Sequence, residues 1–202
     1  MECLRVFTLM SITNSSVSYG HVAKSIHWIT VALLVTAYIS IYYREFIAKT
    51  DWQNYVAVQL HFSVGISIFA LTLLRVVWTL FNEKPILEKI KKSQRLTAIF
   101  VHKSLYALLI LMPITGYLSI TDFLSKSGGY LSYFLIFDIP IFKKIHCLEW
   151  IGMSTKEIAE VSDAIHSLLG SWVLLLLICV HALAALYHHF ILGDKTLHKM
   201  KF

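Results

Sequence analysis

The chain has 202 residues, 57% of them hydrophobic and only 15% charged, with a formal net charge of +6. A mean hydropathy of +0.67 excludes an ordinary soluble domain. The basic residues gather at the ends of apolar segments, which removes nucleic-acid binding from consideration.

In chain order, residues 1–18 (MECLRVFTLMSITNSSVS) read as a flexible leader. Arg5 and Thr8 interrupt the apolar run, and no small-residue cleavage site stands out. Residues 19–202 read as one all-α integral membrane domain. A bilayer core asks for about 20 mainly apolar residues per helix. Four segments qualify, at 26–43, 55–81, 99–121 and 164–190. The second carries one interior charge, Arg75, and the third contains Pro113, where a lipid-embedded helix tolerates a bend. Residues 131–142 (LSYFLIFDIPIF) are apolar but short, and Asp138 and Pro140 interrupt them. That stretch is expected at the membrane interface or over the end of the bundle. No strand pattern, internal repeat or low-complexity tract is visible. Cys3, Cys147 and Cys179 have neither metal-binding spacing nor an evident disulfide partner.

Loop charge predicts the orientation. The second connection carries Lys84, Lys89, Lys91, Lys92 and Arg95 against Glu83 and Glu88, and the tail adds Lys195, Lys199 and Lys201. The 122–163 connection has more acids than bases. Both termini are therefore expected on the cytoplasmic side.

Of ten histidines, four fall inside the predicted spans: His27, His61, His166 and His181. Ionisable groups at membrane depth are rare and usually functional. With the first helix running outward, His61 and His166 lie near the outer surface and His27 and His181 near the inner one. His181 follows His166 by fifteen residues, about 22 Å along a straight helix and about 60° around it. Two bis-histidine pairs at two depths suit two stacked haems, because imidazole is a common axial ligand of haem iron. His188 is the rival to His181. Ligands at 166 and 188 would separate two irons by about 33 Å and leave both porphyrins poorly buried. Gly65 and Gly170 each follow a histidine by four residues, on the ligand's own face, where a missing side chain makes room for a flat cofactor. The other reading of both glycines is small-residue helix packing. Arg75 has two readings, pairing with haem propionates or snorkelling to the interface.

The stretches YGHVAKSIHW (19–28), HFSVG (61–65), LLRVVW (73–78), HKSLYALLILMPITGYL (102–118) and HALAALYHHFILGDKTLHKM (181–200) resemble the bacterial cytochrome b561 family. That resemblance implies a four-transmembrane-helix bundle enclosing two b haems in the bacterial inner membrane. One ligand would come from each of the first two helices and two from the fourth, matching His27, His61, His166 and His181. It also implies superoxide oxidation coupled to ubiquinone reduction. The family typically spaces its two fourth-helix ligands by fourteen residues; a π-type bulge between Gly170 and Cys179 would absorb the fifteenth here. For superoxide, an anion, the outer loops offer Lys126, Lys143, Lys144 and Lys156, which the acids outnumber. For ubiquinone, His102, Lys103, His188 and His189 supply polar and proton-exchanging groups at the inner rim. Two other functions compete: a cytochrome subunit relaying electrons for a partner such as a hydrogenase, and a transporter or metal carrier using the same histidines.

Overall fold

The computed structural model describes residues 12–83, 85, 91–127, 130–139, 152–194 and 196–202, with side chains left undescribed at 121–127. Cys3, Cys147, Lys84, Lys89, Lys143, Lys144, Lys195 and Pro140 lie outside the described residues, as does the side chain of Lys126.

Four helical spans form the bundle: α1 (His21–Phe46), α2 (Asp51–Phe81), α3 (Lys92–Ser127) and a composite fourth span, Thr155–Phe190. The fourth is α4 (Thr155–Leu168), a π-helical segment (Leu169–Leu174) and α5 (Leu175–Phe190). Every helix begins before the apolar stretch that predicts it, and at two of them capping chemistry sets the start. Thr50 and Gln53 form a reciprocal capping box that starts α2, and Ser154 and Glu157 form another at α4. Inside the spans, hydroxyls that lipid would leave unsatisfied bond back one turn: Thr30 to the Ile26 carbonyl, Ser67 to Ser63 and Thr79 to Arg75. Pro113 sits within α3, which continues through it as helix.

The central core draws on all four spans. Ala37, Val64, Ile68, Leu108, Leu109 and Leu174 form one buried cluster, with Leu33, Leu105, Met112 and Leu177 packed against it. Close backbone packing runs from α1 to α2, α2 to α3, and α3 to α4. Between α1 and α5 lies an apolar cleft of about 590 Å³ lined by residues including Leu34, Tyr38, Tyr42, Leu175 and Ile178. Much of the remaining apolar surface, such as Leu176, Leu183 and Phe190, faces outward, as a lipid-facing surface requires.

The connection between α3 and α4 corrects the expectation of no strands. Two short antiparallel strands, β1 (Ser132–Tyr133) and β2 (Phe137–Asp138), form a hairpin. Strands of two residues are too short to display alternation. The turn also lacks glycine: Phe134 and Leu135 themselves adopt positive φ, 49° and 61°, a conformation bulky residues rarely take. The hairpin descends along α2. Gln59 accepts from the Ser132 amide at 2.9 Å and donates to the Tyr130 carbonyl. Ser63 accepts from the Phe134 amide at 2.7 Å, and the Tyr133 hydroxyl reaches Ser67 at 2.8 Å. Leu131 fills a second cluster with Phe62 and Ile120, between α2 and α3. Non-helical backbone at this depth is tolerated because protein groups satisfy it.

Candidate functional site

The helices bring the predicted histidines together in the expected pairs. His61 on α2 faces His166 on α4, with ring centroids 6.1 Å apart and ring planes at 83°. His27 on α1 faces His181 on α5, at 6.4 Å and 76°. The central core lies between the two pairs: Val64 and Ile68 fall between His61 and Arg75 on α2, and Leu174 between His166 and His181.

These separations test whether a haem iron fits. An imidazole nitrogen sits about 2.0–2.1 Å from a bound transition metal, and two trans imidazoles then place their ring centroids about 6.3 Å apart. Both pairs meet that value. His102, on α3, also approaches His181, but at 5.2 Å, which is too close for an iron between the rings. The sequence reading put His102 at the rim; α3 instead carries it into contact with the His27–His181 pair.

The two ends differ in readiness. His61 Nδ1 lies 2.9 Å from the Ala37 carbonyl, and His166 Nδ1 lies 2.9 Å from the Met112 carbonyl. A carbonyl only accepts, so each Nδ1 donates and each Nε2 keeps its lone pair free, the tautomer a metal ligand needs. At the other end, Arg75 Nη1 is 3.0 Å from His27 Nδ1. A guanidinium only donates, so this contact places the His27 proton on Nε2. Arg75 also stacks over Tyr106, 5.6 Å from the ring centroid. It is turned into the bundle, and among the described residues no carboxylate pairs with it.

The glycines divide. A Cβ added at Gly65 would meet no atom within 4 Å, so open space lies beside His61. At Gly170 it would meet Met112 Cε at 2.9 Å, so this glycine packs against α3. Sequence reasoning missed Gly116, where a Cβ would approach His166 Cε1 to 2.8 Å. That glycine clears the ring's position from a helix fifty residues away in sequence, and only its place in the MPITG stretch marked it.

His188, the alternative to His181, is engaged elsewhere in this structure. Its Nδ1 bonds the Asp194 carboxylate beyond the end of α5. Burial works against the Asp194 charge, but hydrogen bonds from Thr196 and His188 outweigh it and hold the carboxyl below its usual range. His189 contacts His198 at 5.1 Å, and the Trp28 indole N–H donates to the Met200 carbonyl at 2.9 Å. The tail is thereby tied back over the His27 end.

The fourth span holds a π-helix at Leu169–Leu174, between the two histidines that the sequence spaces by fifteen residues. It overlaps the interval where an extra residue was expected to be absorbed.

The sequence is similar to those of known proteins. The profile of the family described as prokaryotic cytochrome b561 matches residues 18–202. The chain is 30% identical over 192 residues to cytochrome b561 homolog 2 of Escherichia coli (strain K12), covering 95% of each protein. It is also 30% identical over 183 residues to the probable superoxide oxidase CybB of Yersinia pestis, covering 90% of this chain and 94% of that protein. Cytochrome b561 homolog 1 of Escherichia coli (strain K12) matches at 24% over 178 residues. With four apolar spanning helices and a profile match over almost its whole length, this chain belongs to the prokaryotic cytochrome b561 family of haem b-binding membrane electron-transfer proteins.

Proposed function

We propose that this chain is a di-haem cytochrome that oxidises superoxide and reduces ubiquinone. The observation that carries the reading is the pair of facing histidine couples, each at the ring separation that an iron between them requires. In this reading His61 and His166 hold one b haem, and His27 and His181 hold the other. Gly65 leaves room for the first porphyrin, Gly170 packs the helix behind it, and Arg75 offers a cation to propionates. The haems supply reversible one-electron chemistry. The protein sets potential through ligand orientation, burial and the Arg75 charge.

Each superoxide gives up one electron and leaves as dioxygen; ubiquinone takes two electrons and two protons to become ubiquinol. His61 and His166 are oriented for ligation by the Ala37 and Met112 carbonyls, so they need little rearrangement. Ubiquinone reaches the protein through the bilayer, and the His188–Asp194 pair and His102 stand near the His27 end, where protons must be delivered. The basic excess of the second connection and the tail supports an orientation with that end, and both termini, on the cytoplasmic face of the bacterial inner membrane. The relative named a probable superoxide oxidase supports the donor assignment.

A second reading is electron relay for a partner redox protein such as a hydrogenase. The acidic balance of the 122–163 connection favours it, because an excess of acids repels an anionic substrate. The purified protein, given enzymatically generated superoxide and a soluble ubiquinone, decides between them. Rapid quinone reduction abolished by superoxide dismutase is the expected result. A b-type spectrum without quinone reduction leaves the relay reading standing and removes the oxidase. A colourless protein removes both and favours a transporter or metal carrier.

A further inference from the structure

The π segment of the fourth span lies between His166 and His181, and besides its apolar packing it receives a side-chain hydrogen bond from another helix. The Tyr38 hydroxyl, on α1, donates to the Gly170 carbonyl at 2.8 Å. We infer that Tyr38 is a positioning residue, pinning the π segment so that His166 and His181 each keep the rotation that faces its partner. The inference rests on the assignment of those histidines as ligands.

A π insertion interrupts the i→i−4 ladder of an α-helix and leaves backbone groups there with poorer intrahelical partners. In a membrane no water replaces them, so a donor from the protein has to. Tyr38 is that donor. The segment contains Gly170, whose missing side chain permits the close approach of Met112, and it ends in Leu174, which is 4% exposed and part of the central core. The insertion is therefore gripped from α1 at its start and by the core at its end.

Its position matters because the insertion changes register. Fifteen residues of regular α-helix turn through about 1500°, and absorbing one of them returns about 100°. Letting the π segment relax to regular α-helix would rotate one histidine away from its partner by that amount. Both pairs close at 6.1 and 6.4 Å with the insertion in place.

The residue next to Tyr38 strengthens the argument. Ala37 presents the carbonyl that orients His61, while Tyr38 holds the turn that follows His166. One turn of α1 therefore fixes both sides of the His61–His166 pair from the same place. Tyr38 also stacks on Tyr42 at 6.2 Å, and Tyr42 on Phe46 at 6.0 Å. This row of rings along the α1–α5 cleft holds the phenol in line with the Gly170 carbonyl.

The test uses the whole membrane protein and Tyr38→Phe, which removes the hydroxyl and keeps the ring. Three quantities are read: haem per chain, the low-spin electron paramagnetic resonance signals of the two haems, and amide hydrogen exchange across residues 168–176. The variant is expected to exchange several-fold faster across that segment, to shift at least one low-spin signal and to lose haem sooner in detergent. A wild-type exchange pattern with wild-type signals overturns the pinning role. Deleting Ser171 provides the second arm. It restores a regular helix with one residue fewer between the ligands, so adding Tyr38→Phe to the deletion is expected to change none of the three readouts. A deletion protein that takes up no haem, or one still sensitive to Tyr38→Phe, contradicts the role. Should wild type itself hold fewer than two haems, the ligand assignment falls; two haems with an inert Tyr38→Phe overturn the pinning alone.

Discussion

At the scale of single residues, the site is arranged by acceptors and donors that a histidine cannot choose for itself. Carbonyls at Ala37 and Met112 fix the His61 and His166 tautomers, whereas Arg75 imposes the opposite one on His27. Arg75 also places a permanent charge at that end. A unit charge at an assumed separation of about 8 Å from a redox centre, at an effective dielectric of about 20, is worth roughly 2 kcal/mol, or about 90 mV for one electron. Arg75→Leu is therefore expected to lower the midpoint potential of one haem by that order and to leave the other nearly unchanged, as a redox titration will show. Gly116→Ala drives a methyl to 2.8 Å from His166 Cε1, so haem per chain is expected to fall from two toward one. Gly65→Ala has no protein atom to strike. It is expected to weaken haem retention while leaving the apoprotein's thermal stability unchanged or slightly raised by alanine's better helix propensity, the pattern that separates a cofactor wall from a packing contact. The histidine pairs were legible in the sequence because depth follows from position along a span. Gly116 and the His102–His181 contact were not, because each depends on how two helices rotate against each other.

At the scale of elements, the sequence located all four spans by hydropathy, but their ends followed other rules. Residues 155–163 carry too many charges to read as a span, yet the Ser154–Glu157 capping box begins the fourth helix there. The π segment was legible only through spacing; nothing in LGSWVL announces it. The hairpin was half legible. Residues 131–139 pack on the bundle as paired strands along α2, held by Gln59 and Ser63, which are 1% and 0% exposed. Gln59→Leu leaves the Tyr130 carbonyl and Ser132 amide without their partner. The expected cost is about 1–3 kcal/mol, read as a lower unfolding temperature and faster proteolysis at 130–139, with the b-type spectrum retained. Unchanged protease resistance would mean that Leu131 packing and the Ser63 and Ser67 contacts hold the hairpin without Gln59.

At the scale of the molecule, the bundle places two histidine pairs at opposite ends of one apolar core, and under the proposed function this division would make it a conduit rather than a single site. His166 and His181 share one span, so the two ends are coupled by the helix that joins them. His61 and Arg75 share another, which ties the ligand at one end to the charge at the other. The measurement that tests this most directly is haem stoichiometry with spectral assignment in wild type and in four single variants: His27→Ala, His61→Ala, His166→Ala and His181→Ala. Two haems are expected in wild type and one in each variant. His61→Ala and His166→Ala should lose the same spectral component, and His27→Ala and His181→Ala the other. Loss of one component by variants from different pairs, or two haems retained in His166→Ala, would contradict the account.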